Sequence, residues 1–369
     1  MAIGKIYYIC SLMEAKNTTR TWLPTLLILL VGVLLFVLNL VVGSVSVPLS
    51  EFWKVLMGNG DETCRTIILD YRLPQAITAL FAGMGLAVSG LLMQTLFRNP
   101  LADPSILGIS SGASLGVAIV VLLTGKLSGM AVSAMPGWST VGVTIVAFAG
   151  AFLVLLLILA LSSRLKSMVS LILVGIMIAY IAGSVTDVLK FFSQKEDVHT
   201  FVIWGFGSFS NVGKSQLGYL AGTILVGTVM AFLLSKSLNL FLLGDRYAEN
   251  LGLNLRRASL LTILVSGFLM AVITAFCGPI AFIGLAVPHL ARFTYHTSNH
   301  FLLTPATAVI GMDLALLCNL IARLPGFDGN LPINSVTALI GAPIVIYVIF
   351  HRQKVLSKGK KCCAATVSR

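Results

Sequence analysis

The chain has 369 residues, of which 57% are hydrophobic and only 10% are charged, and its mean hydropathy is +0.98. That composition leaves too little polar surface to cover a water-exposed globule of this size, which excludes a soluble multidomain protein. The net charge of +12 would favour nucleic-acid binding in a soluble protein, but no basic face with interleaved aromatic residues lies outside the apolar runs.

Apolar runs close to the ~20 residues that cross a bilayer recur along the chain, which predicts an all-α, polytopic membrane protein. Residues 1–20 are predicted to be a cytoplasmic segment, because the first apolar run is longer than the core of a signal peptide. A transmembrane domain over 21–351 and a basic cytoplasmic tail over 352–369 follow. About ten spanning helices are predicted, at 22–42, 73–97, 105–123, 139–161, 168–189, 217–241, 258–277, 280–293, 303–321 and 333–350.

Details of these runs give further expectations. The eighth helix is short and is expected to break at Gly284 and Pro288. The long connector 190–216 contains Trp204 and several Phe residues, which predicts a short helix at the membrane surface.

The 25 Lys and Arg residues fall mostly on one side of the predicted topology. Because positive residues collect in cytoplasmic loops, this bias predicts that both termini are cytoplasmic.

The second and seventh predicted helices are both apolar, rich in small residues and followed by a proline break. They run in opposite directions across the membrane, as an inverted repeat requires. Close packing of glycine-rich helices would produce the same composition without a repeat.

Several residues have two possible interpretations. Asp313, near the middle of the ninth helix, is either part of a proton relay or a residue hydrogen-bonded within the bundle. His289 is expected to be a structural hydrogen-bonding residue, because no carboxylate or Cys lies at metal-ligand spacing from it. No metal site and no cofactor are expected.

The segment Gly207–Ser215 superficially resembles a phosphate-binding P-loop. It has five residues between its glycines instead of four and no preceding strand, so it is not interpreted as a nucleotide site. The chain is therefore not expected to be an enzyme.

The internal segment 243–257 combines charges with Leu251, Leu253 and Leu255 between the break points Gly244 and Gly252. A solvated loop would not need these leucines. The pattern predicts a short amphipathic helix that docks on another protein.

Four motifs together resemble the permease family of type II ABC importers for iron–siderophore complexes, haem and vitamin B12. They are RLPQ at 72–75, SGLLMQTLFRNPLADPSILGISSGA at 89–113, LGDRYAENLGLN at 243–254 and GPIAFIGLAVPHLARF at 278–293. The similarity extends from the first helix to the tenth, in the same order.

The resemblance implies a homodimer in the inner membrane, with two ATPase subunits below it and a soluble substrate-binding protein above it. Segment 243–257 then corresponds to the family's coupling helices, which contact the ATPases through Gly244, Asp245, Ala248, Leu251, Gly252 and Leu253.

The same resemblance assigns three further groups of residues. The start of the fifth helix, Met168, Val169 and Ser170, matches the inner gate. Arg72 and Arg323 match the arginines that dock carboxylates of the binding protein. The translocation path at the dimer axis is assigned to Gly83, Gly90, Gln94, Ser110, Ser111 and Gly112.

The function implied is import of a bulky iron chelate, either siderophore-bound iron or haem, by alternating access and with ATP hydrolysed by a separate subunit. A permease for vitamin B12 is the alternative from the same family. A proton-coupled secondary transporter that uses Asp313 is the alternative from a different class.

Overall fold

The computed structural model describes residues 22–43, 45, 48–58, 60–123, 140–165, 167–324 and 331–347. All regular secondary structure in these ranges is helical. The predicted cytoplasmic segment 1–20 and the basic tail 352–369 lie outside the described residues. The helices are α1 (Trp22–Val41), α2 (Leu49–Leu56), α3 (Glu62–Leu96), α4 (Ile109–Leu123), α5 (Thr140–Ser162), α6 (Met168–Phe191), α7 (Lys195–Gly205), α8 (Lys214–Leu233), α9 (Ser235–Leu242), α10 (Asp245–Asn250), α11 (Leu255–Cys277), α12 (Ile283–Tyr295), α13 (His300–Ala322) and α14 (Ile333–Tyr347).

Seven helices of the described chain, α1, α3, α5, α6, α8, α11 and α13, are long and apolar enough to cross a membrane. The shorter helices α4, α12 and α14 occupy the places of the three other predicted spans. The prediction of an all-α polytopic membrane protein is confirmed, while the cytoplasmic location of both termini stays a prediction. We call the end of the bundle that carries Arg98 and segment 243–257 the inner end, and the opposite end the outer end.

Three helices differ from the prediction by more than a shift of a few residues at their ends. Helix α3 begins at Glu62, because the π-helical stretch Ile67–Arg72 joins a short preceding helix to the predicted span. The predicted sixth helix is divided into α8 and α9 at Leu234. The expected break within the eighth helix is wrong, since α12 continues through Pro288. A proline removes one helical hydrogen bond, here the bond to the Gly284 carbonyl, and packed neighbours stabilise the rest of the helix.

Helix α7, Lys195–Gly205, lies within the connector after α6. It confirms the short helix predicted in that region.

Helix α3 is the centre of the bundle. About 83% of its most apolar window is buried inside the chain, against 17% for α1 and α6. It packs against α8, α11, α12 and α13. Since lipid tails are as apolar as leucine, helices in a membrane associate mainly through close van der Waals contact, which small residues permit.

Glycines bring two helix pairs into backbone contact. A Cβ atom on Gly83 would lie 2.2 Å from the carbonyl oxygen of Gly311 in α13. A Cβ atom on Gly90 would lie 1.8 Å from the carbonyl oxygen of Gly284 in α12. No side chain larger than hydrogen fits at either position unless a neighbouring helix moves away.

Helices α3 and α11 are joined by a reciprocal pair of serines. The Ser89 hydroxyl donates to the Ser266 carbonyl at 2.8 Å, and the Ser266 hydroxyl donates to the Ser89 carbonyl at 3.0 Å. Such reciprocity is the pattern that a local two-fold axis between two helices produces. It supports the predicted inverted repeat, which stays a prediction.

Helix α1 packs on the outside of the bundle, mainly against α13. The Thr25 hydroxyl lies 2.9 Å from the Tyr295 hydroxyl near one end of α1. Near the other end, Asn39 donates to the Leu316 carbonyl at 3.0 Å and accepts from Asn319 at 2.8 Å. Polar contacts therefore attach this helix to the rest of the chain.

Replacing Gly90 with alanine should destabilise the protein by about 1–3 kcal/mol, because the added methyl group forces α3 and α12 apart. The check is thermal unfolding of the detergent-solubilised protein. Gly222→Ala in α8 is the matched control, since its Cβ atom would meet nothing within 4 Å. Equal midpoints for the two variants would contradict the packing argument.

Candidate functional site

Segment 243–257 forms a short helix between two glycines. Helix α10 lies between Gly244, with φ of 98°, and Gly252, with φ of 86°. Ala248 is the buried residue of this helix and faces the chain. Tyr247 and Leu251 are 55% and 62% exposed, so they form an apolar surface at the inner end.

The leucines of this segment do not share one surface. Leu251 is exposed, but Leu253 and Leu255 are partly buried and pack against the hydrophobic core of the chain. Of the residues assigned to the ATPase contact, Ala248 and Leu253 thus face their own chain and Leu251 is exposed, and the coupling assignment stays a prediction. The physical reason is the turn at Leu251–Gly252, after which the Leu253 amide donates back to the Ala248 carbonyl at 2.9 Å.

The predicted gate residues begin α6. Met168 is 37% exposed and Val169 is 73% exposed, while Ser170 is partly buried. Large apolar residues remain exposed along the rest of α6, among them Leu173, Met177 and Tyr180. This face is not covered by the described part of the chain, and the gate assignment stays a prediction.

Three predicted path residues are buried in helix contacts. Gly83 and Gly90 lie against backbone carbonyls of α13 and α12, as described above. The Gln94 amide donates to the Leu285 carbonyl at 3.0 Å and accepts from Arg292 at 2.7 Å. In this arrangement these residues join α3 to its neighbours and do not line an open path, because their surfaces are occupied by the chain itself.

The other predicted path residues begin α4. Ser110 and Ser111 are partly buried, and the Ser110 hydroxyl has no hydrogen-bond partner in the described chain. A Cβ atom on Gly112 would lie 2.5 Å from Val154 and 2.7 Å from the Gly150 carbonyl in α5, so Gly112 is also a packing position. The path assignment of Ser110 and Ser111 stays a prediction.

Arg72 caps the end of α1. Its side chain is 2% exposed. The guanidinium donates to the carbonyls of Leu40 at 3.0 Å, Val41 at 2.6 Å and Val45. The last carbonyls of a helix lack partners within the helix, and a cation near them is favourable. Arg72 thus supplies the missing donors.

Arg323 lies beside Arg72. It is 7% exposed, and its guanidinium donates to the Asn39 carbonyl at 3.5 Å. A Cβ atom on Gly43 would lie 3.0 Å from a terminal nitrogen of each arginine. Burial and then the charge of Arg72 lower the pKa of Arg323 to about 10.

This geometry does not favour Arg72 and Arg323 as docking residues on the outer rim, and their docking role stays a prediction. A rim charge that attracts a partner needs solvent exposure, and both guanidinium groups are buried against carbonyls of their own chain. In this arrangement they hold the end of α1 against α3 and α13.

The interpretation of His289 as a structural residue is confirmed. Its Nε2 atom donates to the Pro100 carbonyl at 2.7 Å, which links α12 to the turn after α3. Asp103, in the same turn, is buried and accepts from the Ser105 amide at 3.2 Å. Burial raises the pKa of Asp103, while the hydrogen bonds from Ser105 act in the opposite direction.

Asp313 lies where α13 contacts α1. A Cβ atom on Gly32 would lie 2.5 Å from its Oδ1 atom. The hydrogen bonds of the described residues do not include one to this carboxyl, so the interpretation as a residue hydrogen-bonded within the bundle has no partner among them. Within the same residues, no group of three or more His, Cys, Asp and Glu side chains could hold a metal ion.

Sequence reasoning missed the role of Arg98. The guanidinium of this residue contacts Asp245 near the start of segment 243–257 and the Phe241 carbonyl in the preceding helix α9. Nothing in the spacing of the chain connects residues so far apart in sequence. The only available signal was a charged residue directly after a long apolar helix.

The helical bundle and the exposed segment at its inner end define a polytopic membrane protein of the permease class. Residues 28–351 match the FecCD transport family, and the chain belongs to that family.

The similarity to known relatives extends over nearly the whole chain. The hemin transport system permease protein HmuU of Yersinia pestis is 34% identical over 343 residues, which cover 93% of this chain and 99% of that protein. The vitamin B12 import system permease protein BtuC of Klebsiella pneumoniae subsp. pneumoniae is 35% identical over 336 residues, which cover 91% of this chain and 95% of that protein.

One solved structure is similar in both fold and sequence. It is described as an inward-facing metal-chelate type ABC transporter. It has a TM-score of 0.77 and 30% identity, and the match covers 88% of this chain and 97% of that one. The present chain is thus the permease subunit of a type II ABC importer of the inner membrane, a transport component and not itself an enzyme.

Replacing Arg72 with alanine should lower the free energy of unfolding by about 2–3 kcal/mol, since two carbonyls at the end of α1 and the Val45 carbonyl beyond it lose a charged donor. Thermal unfolding measures the change. Arg65→Ala is the matched control, because Arg65 is exposed on the same helix. An unchanged midpoint together with weaker attachment of a binding protein would instead restore the docking interpretation.

Proposed function

We propose that this permease imports a bulky iron chelate, either siderophore-bound iron or haem. The observation that carries the proposal is the similarity over 93% of the chain to a hemin permease. The likeness to a metal-chelate type transporter supports the same class of cargo.

The proposed assembly is a homodimer with two ATPase subunits and a soluble substrate-binding protein. The apolar face of α6 supports a homodimer, because a second copy would cover residues such as Leu173 and Met177. The apolar surface of Tyr247 and Leu251 supports an ATPase contact at the inner end. The remaining apolar surface around the sides of the helical bundle is in contact with membrane lipid.

The proposed mechanism is alternating access. ATP-driven closure of the ATPases moves α10, and this movement opens the path between two subunits to one side of the membrane at a time. A path with small and apolar side chains does not bind the cargo tightly, so the binding protein selects the chelate. The permease therefore contributes the movement and the ATPases contribute the free energy.

Vitamin B12 is the second candidate cargo, because a vitamin B12 permease is 35% identical over 91% of the chain. The test is reconstitution of the chain in proteoliposomes with its ATPase and binding protein. Ferric siderophore, haem and cobalamin are supplied in turn. We expect ATP-dependent uptake of an iron chelate, and uptake of cobalamin alone would overturn the choice of cargo.

The proton-coupled alternative depends on Asp313. Its carboxyl lies beside the outer helix α1, at Gly32. A relay requires further groups that exchange protons with it, and the described contacts of Asp313 provide none. Uptake that continues without the ATPase and stops when the proton gradient is dissipated would favour this alternative.

Replacing Leu251 with glutamate should weaken binding of the ATPase subunits by at least about tenfold, the effect typical of a central apolar residue in an interface. Co-purification and transport measure the loss, while thermal stability should be unchanged. Leu253→Glu should instead lower the unfolding midpoint, because Leu253 packs against the core.

Thr63→Glu is the control for the added charge, since Thr63 is exposed at the outer end of α3. This variant should bind the ATPase subunits and unfold at the same temperature as the wild type. Normal ATPase binding by the Leu251→Glu variant would remove α10 as the docking site.

A further inference from the structure

Arg98 has a backbone conformation that disfavours its side chain. Helix α3 ends at Leu96, and Arg98 follows with φ of 49°, in the left-handed region. The position just after a helix commonly has this conformation, but glycine is the usual residue there because a Cβ atom is strained. A strained residue that persists at such a position indicates that its side chain has a use.

The Arg98 side chain contacts both sides of a single glycine. Its Nε atom donates to the Phe241 carbonyl, near the end of α9, at 3.2 Å. Its Nη2 atom forms an ion pair with Asp245, the first residue of α10. Gly244 lies between these two contacts, with φ of 98°, and a Cβ atom there would meet nothing within 4 Å.

The two helices that meet at Gly244 are held differently. Asn239 of α9 accepts from the His300 amide at 2.8 Å and from the His300 ring at 2.9 Å, and it donates to Asn299 at 2.9 Å. Helix α9 is thereby attached to the start of α13. Helix α10 has exposed side chains except for the buried Ala248, so its angle to α9 depends on Gly244, on the packing of Ala248 and on the contacts of Arg98.

The rigid planar guanidinium is suited to this arrangement, because its donors have fixed relative directions. We propose that Arg98 is a positioning residue that transmits movement of α10 to the buried helix α3. This inference rests on the proposed contact of α10 with an ATPase. Arg98 acts in the step after docking, in which movement of α10 displaces α3 at the centre of the bundle.

The test is the Arg98→Gly variant in the complete complex of permease, ATPase and binding protein. Glycine adopts the left-handed conformation without strain, so the unfolding midpoint should equal or exceed that of the wild type. ATPase subunits should still co-purify. The amount of iron chelate imported per ATP hydrolysed should fall at least about fivefold, the lower range of coupling between two sites.

Two further variants separate positioning from a general structural effect. Arg98→Lys retains the positive charge, but a single ammonium group cannot contact Asp245 and the Phe241 carbonyl in the way that the planar guanidinium does. This variant should therefore import an intermediate amount of chelate per ATP hydrolysed. Asp245 also lies in the proposed ATPase contact, so the variant that combines Asp245→Ala with Arg98→Gly is compared per ATPase subunit bound. It should then couple no worse than Arg98→Gly alone, because both changes remove the same ion pair. Arg164→Ala, at another exposed arginine of the inner end, is the control and should couple normally.

Normal transport per ATP in the Arg98→Gly variant would overturn the inference. Loss of ATPase binding in that variant would also overturn it, since Arg98 would then only shape the docking surface. If the proposed function were wrong, the outcome would be different. The wild-type chain itself would then show no ATPase binding and no ATP-dependent uptake.

Discussion

The close approach of α3 to its neighbours is the constraint on which the rest of the bundle depends. At Gly83 and Gly90 the backbone of α3 touches the backbones of α13 and α12, and a methyl group at either position would collide with a carbonyl oxygen. Within a membrane, burial of apolar surface contributes little to the association of helices, so contact distance decides their affinity. The serine pair Ser89–Ser266 adds hydrogen bonds at the same depth. A rigid centre of this kind moves as one unit when an end is displaced.

The two ends of this centre use charged side chains in opposite ways. At the outer end, Arg72 and Arg323 are buried. Their guanidinium groups donate hydrogen bonds to carbonyls at the end of α1, which belongs to the same chain. At the inner end, Arg98 is exposed and contacts both sides of Gly244, which has a positive φ. A buried arginine fixes one geometry, whereas an exposed arginine at a hinge can follow a moving partner. The outer end is thus suited to stability and the inner end to transmission of movement.

The sequence predicted the class of fold, most of the spans and the short helices α7 and α10, because apolar runs and their breaks are local features. Pro288 was misjudged, since its effect depends on how neighbouring helices hold α12. The burial of Arg72 and the different positions of Leu251 and Leu253 depend on contacts between distant parts of the chain. For the same reason, Gly83 and Gly90 were assigned to a path although they are packing positions. Helical periodicity identifies a face of small residues, but not the surface that this face meets.

The exposed position of α1 has a consequence for biosynthesis. Among the described helices it is translated before the others, and it is apolar enough to enter the membrane alone. Its partners come near the end of the chain: Asn39 bonds to Asn319, 280 residues later, and Thr25 contacts Tyr295. Until α13 has been inserted, Asn39 lacks its tertiary partners and its polar side chain faces lipid. This early helix of the described chain therefore gains its full set of polar contacts only when α13, far along the sequence, has been inserted.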